Sequence, residues 1–181
     1  MKTIKYQALL LAILVSLSTF TMAKSAESIE NDANAAINLF IKETKGGDAF
    51  LVKSKAFLVF PSVKEAGFFI GGKYGEGVLR VGRTSKAYYS ITAASIGFQM
   101  GMQDSAMIIA FTSDAALNKF LLDDDEWEAD VDGKIAVIEW NSKEELDVDY
   151  DDPMVAFIFD STGMMGSFTM EGTKFKRIKP D

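Results

Sequence analysis

Residues 56–112 read AFLVFPSVKEAGFFIGGKYGEGVLRVGRTSKAYYSITAASIGFQMGMQDSAMIIAFT. Short runs of Val, Ile, Phe and Tyr follow one another here, separated by glycines, which is the texture of consecutive β-strands. From Ala94 to Gln103, Ala94, Ile96, Phe98, Met100 and Met102 alternate with Ser95, Gly97, Gln99, Gly101 and Gln103. That period of two predicts one strand with a bulky face and a small or polar face. Ala106–Phe111 is almost wholly apolar and predicts a strand covered on both sides.

Upstream the period changes. Ile29, Ala33, Ala36, Ile37, Phe40 and Ile41 recur at spacings of three and four, predicting an amphipathic helix that Gly46-Gly47 stops. Downstream, Thr112 or Ser113 can cap a short helix through Ala116, Leu117, Phe120 and Leu121, ended by Asp123-Asp124-Asp125. Trp127–Val131, Lys134–Trp140, Met154–Phe159 and Met164–Thr169 read as further strands, with Asp132-Gly133 as a hairpin turn and Asn141–Asp152 as a solvated acidic loop. The fold class expected is therefore α+β: a curved, mainly antiparallel sheet, barrel-like, with an N-terminal amphipathic helix and a short inserted helix.

The 181-residue chain, 48% hydrophobic and 25% charged, can bury one substantial core. It contains neither cysteine nor histidine. This excludes disulfides, thiolate nucleophiles, Cys/His zinc sites and Ser-His-Asp triads. Carboxylates are plentiful, yet spacing singles out no catalytic pair, so no catalytic residue, metal ligand or cofactor is assigned and the chain reads as non-enzymatic.

At the N-terminus, Lys2 and Lys5 precede an apolar run from Ala8 to Val15 that continues through Leu17, followed by small residues up to Ala23. This order is that of a secretory signal peptide, and the run is too short to span a bilayer. Residues 1–23 are expected to be removed, with cleavage after Ala26 as the alternative, leaving one domain over residues 24–181. The expected location is the periplasm or the medium, soluble or peripherally membrane-associated.

Without the leader the chain has 17 bases and 26 acids, net −9, distributed unevenly. Residues 42–86 are net +5, whereas residues 104–152 are net −13. Such acidity excludes nucleic acid, whose binding is dominated by phosphate neutralisation. It leaves a local basic segment as a candidate surface for anionic lipid, with Lys53, Lys55, Lys64, Lys73, Arg80 and Arg83 as candidate lipid-binding residues.

Two motifs invite sharper readings. The glycines at 67, 71, 72, 75, 77 and 82 suggest a phosphate cradle, but Gly71-Gly72-Lys73 is followed by Tyr74, so no P-loop is formed and a tightly curved glycine-rich hairpin is expected. Residues 147–152 resemble the start of a calcium loop, but Asp152 stands where the loop glycine belongs and Ile158 where its glutamate belongs. A solvated charge run is expected there. The helix around Ile29–Ile41 carries Glu30, Asp32 and Asn34 on its polar face, so it is expected to dock on the sheet rather than lie on a bilayer.

The string from Ser54 to Leu79 resembles the opening of the SYLF domain family. Tyr88-Tyr89-Ser90, Ser95–Gln99, Ala116–Phe120, Trp127–Asp132 and Glu171–Lys174 resemble the family's later blocks, in order, so the resemblance covers about residues 30–178. It implies binding of membrane lipid, chiefly phosphoinositides in eukaryotic members, and of actin in some. Bacterial members resemble secreted or lipoprotein versions, and this chain lacks the lipobox cysteine of the latter. The function expected is thus a non-enzymatic exported domain that contacts anionic lipid headgroups or a membrane surface. The alternative is an envelope protein-interaction module; actin does not fit an exported bacterial setting.

Overall fold

The computed structural model describes residues 24–67, 70–96, 101–122, 126–138, 148, 151–160 and 170–181. In chain order the elements are α1 (Ala26–Glu43), α2 (Gly47–Lys53), β1 (Ala56–Gly67), β2 (Ile70–Val81), β3 (Thr84–Ile96), β4 (Gly101–Phe111), α3 (Asp114–Leu122), β5 (Trp127–Glu128), β6 (Ala136–Ile138), β7 (Met154–Asp160) and β8 (Lys174–Ile178). The strands form one sheet in the order β5-β8-β3-β2-β1-β4-β7-β6, curled into a half-barrel. Every pairing is antiparallel except β6 with β7. The expected α+β class is the observed one.

Strand β1 carries Pro61 in mid-sheet, where a residue without an N–H would normally break a ladder. The register explains its tolerance. Val59 pairs with Val78 but Val63 with Gly75, so β1 holds one residue more than β2 across this stretch, and the same excess recurs against β4. Pro61 and Ser62 thus occupy a bulge, which bends the strand and sharpens the sheet's twist. The bend brings β1 onto β2 where β2 is glycine. A Cβ on Gly75 would stand 2.7 Å from the Ser62 carbonyl oxygen, and one on Gly77 would overlap the Val59 oxygen and stand 2.6 Å from Phe60 Cδ1. These two glycines serve the curvature of the sheet.

Alternation along the strands sends side chains to two separate cores. On one face, Ile29, Ala33, Ala36 and Phe40 of α1, with Phe50 and Leu51 of α2, pack on Phe57, Val59, Val78, Ile108, Val155 and Phe157. Phe40 and Phe50 both meet the Phe157 ring, at centroid distances of 5.0 and 5.2 Å. Helix α1 therefore docks on the sheet through most of the stripe its sequence predicts: Ile37 is partly buried against it, but Ile41, expected on the same stripe, is 40% exposed. Its first turn is capped by Ser25 Oγ, which accepts from Ser28 N at 3.2 Å. The concave face buries Leu58, Phe60, Leu79, Ile91, Met107, Ile109 and Phe111 beneath α3 and Trp127. Phe120 of α3 is its hub, with ring centroids of Tyr89, Phe111, Trp127 and Phe175 within 5.0–6.0 Å. Helix α3 starts on Ser113, whose Oγ accepts from Ala116 N at 3.2 Å, while the Thr112 hydroxyl donates to the Asp152 carbonyl.

Several expected elements differ. The single strand over Ala94–Gln103 is instead the end of β3 and the start of β4, which lie on opposite sides of the β1–β2 ribbon: Ile96 pairs with Ile70 and Gly101 with Gly67. Two strand ends in alternating register look like one strand when read along the chain. The strand at Trp127 stops at Glu128, because Asp130 turns the chain at φ 70° and the Asp132 carboxylate accepts from Glu128 N at 2.8 Å. The turn at Asp132-Gly133 joins no antiparallel pair, since Ala129 and Gly133 form an isolated bridge. Of the strand expected over Lys134–Trp140, Ala136–Ile138 form β6, Lys134 and Ile135 precede it, and Glu139 and Trp140 lie outside the described residues. The strand expected at Met164–Thr169, the stop at Asp123–Asp125 and most of the acidic loop lie outside the described residues.

Candidate functional site: a basic cleft beside the first helix

The six bases singled out from sequence do not converge. Lys55 pairs with Asp114 at 3.2 Å. Lys73 and Glu65 share a register position on the concave face and approach to 3.6 Å, with each side chain only 10% exposed. Burial lowers the Lys73 pKa against the opposing pull of the Glu65 carboxylate. Arg80 lies on the other face, where its guanidinium donates to Glu30 Oε2 at 2.5 Å and to Asn34 Oδ1 at 2.8 Å. Lys53 lies exposed in the last turn of α2, Lys64 lines a groove with Lys24, Asp32 and Asp104, and Arg83 follows Gly82 in the β2–β3 turn. Three of the six are thus paired with carboxylates, Lys73 and Arg80 in largely buried contacts and Lys55 at the surface.

The Arg80 cluster shows how. Glu30 of α1 also accepts from the Tyr88 hydroxyl at 3.0 Å. Burial raises its pKa, but hydrogen bonds from Ser85, Arg80 and Tyr88 and the charge of Arg80 outweigh this, leaving the carboxyl below its ordinary value. Glu30 is therefore the tie between α1 and strands β2 and β3.

Beyond this tie the structure builds a basic site that charge counting along the chain missed. Strand β8 adds to β3 in antiparallel register, Tyr88 opposite Ile178 and Tyr89 opposite Arg177. The chain then continues to Asp181, whose carbonyl accepts from Ala26 N at 3.1 Å at the start of α1. Between these elements lies a cleft of ≈ 700 Å³ lined by Ala26, Ser85, Tyr88 and Pro180 with Lys86, Arg177 and Lys179. Its lining includes three cations and no carboxylate. Among the described residues none of the three forms an ion pair. Arg83, from the predicted set, lies in the turn three residues before Lys86. The only sequence signal was compositional, four bases in the last eight residues, and nothing in it indicated β8 beside β3.

At the far end of β8 two acids are paired with its first lysine. Lys174 Nζ lies 2.6 Å from Glu126 and 3.3 Å from Glu128, carboxylates that raise its pKa. At about 3.3 Å per residue, Lys174 and Lys179 are separated by about 16 Å, roughly two screening lengths at physiological salt. Glu126 and Glu128 are thus screened from the cleft, whose border carries the Glu30 carboxylate, held by Tyr88 and Ser85, and Asp181, bonded to Ala26.

Among the described residues no group of three or more acids could hold a metal ion, and no helix is long and apolar enough to cross a membrane. A scan against protein-family models finds no match to this chain, and no curated protein matches it.

Proposed function

We propose that this chain is an exported, non-enzymatic domain that binds anionic lipid headgroups at a membrane surface, as its resemblance to SYLF domains implies. The observation that carries this reading is the cleft lined by Lys86, Arg177 and Lys179, whose charges are not spent on internal ion pairs among the described residues. Its volume lies in the range of small-molecule sites, enough for a phosphorylated headgroup. Each base near an anionic surface contributes about 1 kcal/mol, so three favour the bound state roughly 10²-fold. The Arg83 turn and exposed Lys176 widen the basic edge, while Lys55, Lys73 and Arg80 are paired with carboxylates.

Vesicle flotation tests this. The protein should float with phosphatidylglycerol-containing vesicles and not with neutral ones, weakening as salt rises. Changing Lys86, Arg177 and Lys179 together to Gln should abolish flotation at unchanged melting temperature, whereas Lys53→Gln with Lys64→Gln should reduce it only slightly. If the triple variant floats like wild type, the cleft is not the site. If wild type ignores anionic vesicles altogether, the lipid reading fails and the envelope protein-interaction module replaces it.

A further inference from the structure

Glu76 is a carboxylate only 9% exposed, on the sheet face that carries α1, and no Lys or Arg side chain forms an ion pair with it among the described residues. Its Oε1 accepts from the Tyr74 hydroxyl at 2.6 Å. Its Oε2 accepts from the backbone N of Lys24 at 3.0 Å. A buried carboxylate with neutral donors alone is poorly compensated. Lys24 is the residue that the leader reading makes the first of the processed chain.

We propose that Glu76 is a built receptor for the α-ammonium of Lys24, so that proteolytic removal of residues 1–23 completes the fold by creating the buried carboxylate's counter-charge. The inference rests on the export reading above. In the uncleaved chain the Lys24 nitrogen is an amide, which offers one neutral N–H. An endopeptidase of the leader-removing class adds water across the Ala23–Lys24 amide. The C–N bond breaks, Ala23 departs as a carboxylate, and the Lys24 amine keeps the electron pair and takes up the proton. The same nitrogen then faces Glu76 as a cation.

Three neighbouring contacts favour this bond over the alternative after Ala26. Lys24 Nζ pairs with Asp32 at 2.7 Å, Ser25 Oγ caps α1, and Ala26 N bonds the Asp181 carbonyl. Cleavage after Ala26 would remove all three together with the Glu76 contact, whereas cleavage after Ala23 keeps every one. Burial and the hydrogen bond to Glu76 push the Tyr74 hydroxyl up to about 12, which keeps it a neutral donor and leaves the counter-charge to Lys24.

The test uses two chains, one starting at Lys24 and one retaining Met22-Ala23, each with Glu76 and with Glu76→Gln. Urea unfolding should show the Lys24-start chain more stable by about tenfold in its folding constant, the difference between a charged and a neutral donor on a carboxylate. With Glu76→Gln that advantage should vanish. Tyr74→Phe removes the hydroxyl and keeps the carboxylate, so it should leave the advantage in place and guards against a general loss of fold. An advantage that survives Glu76→Gln, or none in the wild-type background, overturns the proposal while leaving export untouched. N-terminal sequencing of protein from its native envelope should return Lys24. A start at Glu27 overturns the receptor but not export, and an intact Met1 from a membrane pellet overturns both.

Discussion

Gly77 and Gly72 lie in the same strand and the same glycine-rich run, yet their surroundings differ enough to make opposite predictions. A methyl at Gly77 would overlap the Val59 carbonyl oxygen and press on Phe60 Cδ1 at 2.6 Å, whereas at Gly72 the nearest atom is the Ala93 oxygen at 3.8 Å, ordinary contact. At Gly77 the main obstacle is backbone held by the β1 bulge, so it cannot rotate away as a side-chain tip would. Overpacking of this kind costs about 1–3 kcal/mol or more, and the upper end applies because neither strand can shift without breaking the ladders from β1 to β4 and from β2 to β3. In a domain of this size each kcal/mol is worth about 2–4 °C. Gly77→Ala should therefore lower the melting temperature by about 6–12 °C. Gly72→Ala, which sheds the entropic penalty of a strand glycine, should leave it unchanged or raise it by about 1–4 °C. Differential scanning calorimetry of both variants with circular dichroism of the native state decides it. Equal melting temperatures for Gly77→Ala and wild type would refute the packing argument and reopen the phosphate-cradle reading of the glycines, which a loss of anion binding without loss of stability would support.

Phe120→Ala empties the centre of the aromatic cluster on the concave face, where Phe120 is 1% exposed, and should cost about 3–5 kcal/mol, read as a fall in the urea midpoint with little change in slope. Glu30→Gln tests the tie between α1 and the sheet through its pH dependence. Because the folded pKa of Glu30 lies below its ordinary value, its ionised form stabilises the protein above that ordinary value and the contribution is lost as pH falls through the folded pKa. The stability gap between wild type and Glu30→Gln should accordingly be full at pH 6 and close on acidification; a gap independent of pH would assign Glu30 to packing alone.

The parts of the fold set by near neighbours were readable along the chain. Helix α1 announces itself because each buried residue lies three or four positions from the next, and the glycine-rich hairpin does so because β1 and β2 are adjacent in sequence. The reading failed where elements meet across long separations. Alternation continues from Ala94 to Gln103 whether or not a strand does, and only the pairing of Ile96 with Ile70 and of Gly101 with Gly67 divides it. Strand β8 was not anticipated, because KFKRI is mostly charged and becomes a strand only through its partner β3.

Charge followed the same division. Composition and local order along the chain established an acidic chain with a basic stretch, no thiol or imidazole chemistry, and one amphipathic helix, because those properties belong to residues and their near neighbours irrespective of where the chain folds them. Which bases are available is a property of pairs, and the tertiary structure decided it. Glu30 is 50 residues from Arg80 along the chain and Asp114 is 59 from Lys55, and both contacts consume cations that the sequence had offered to a ligand. Conversely, β3–β8 pairing carries Arg177 and Lys179 to Lys86 across some ninety residues. Coulomb energy falls with distance in space and takes no account of distance along the chain, so a basic segment can dissolve into ion pairs while a basic cleft assembles from its two ends.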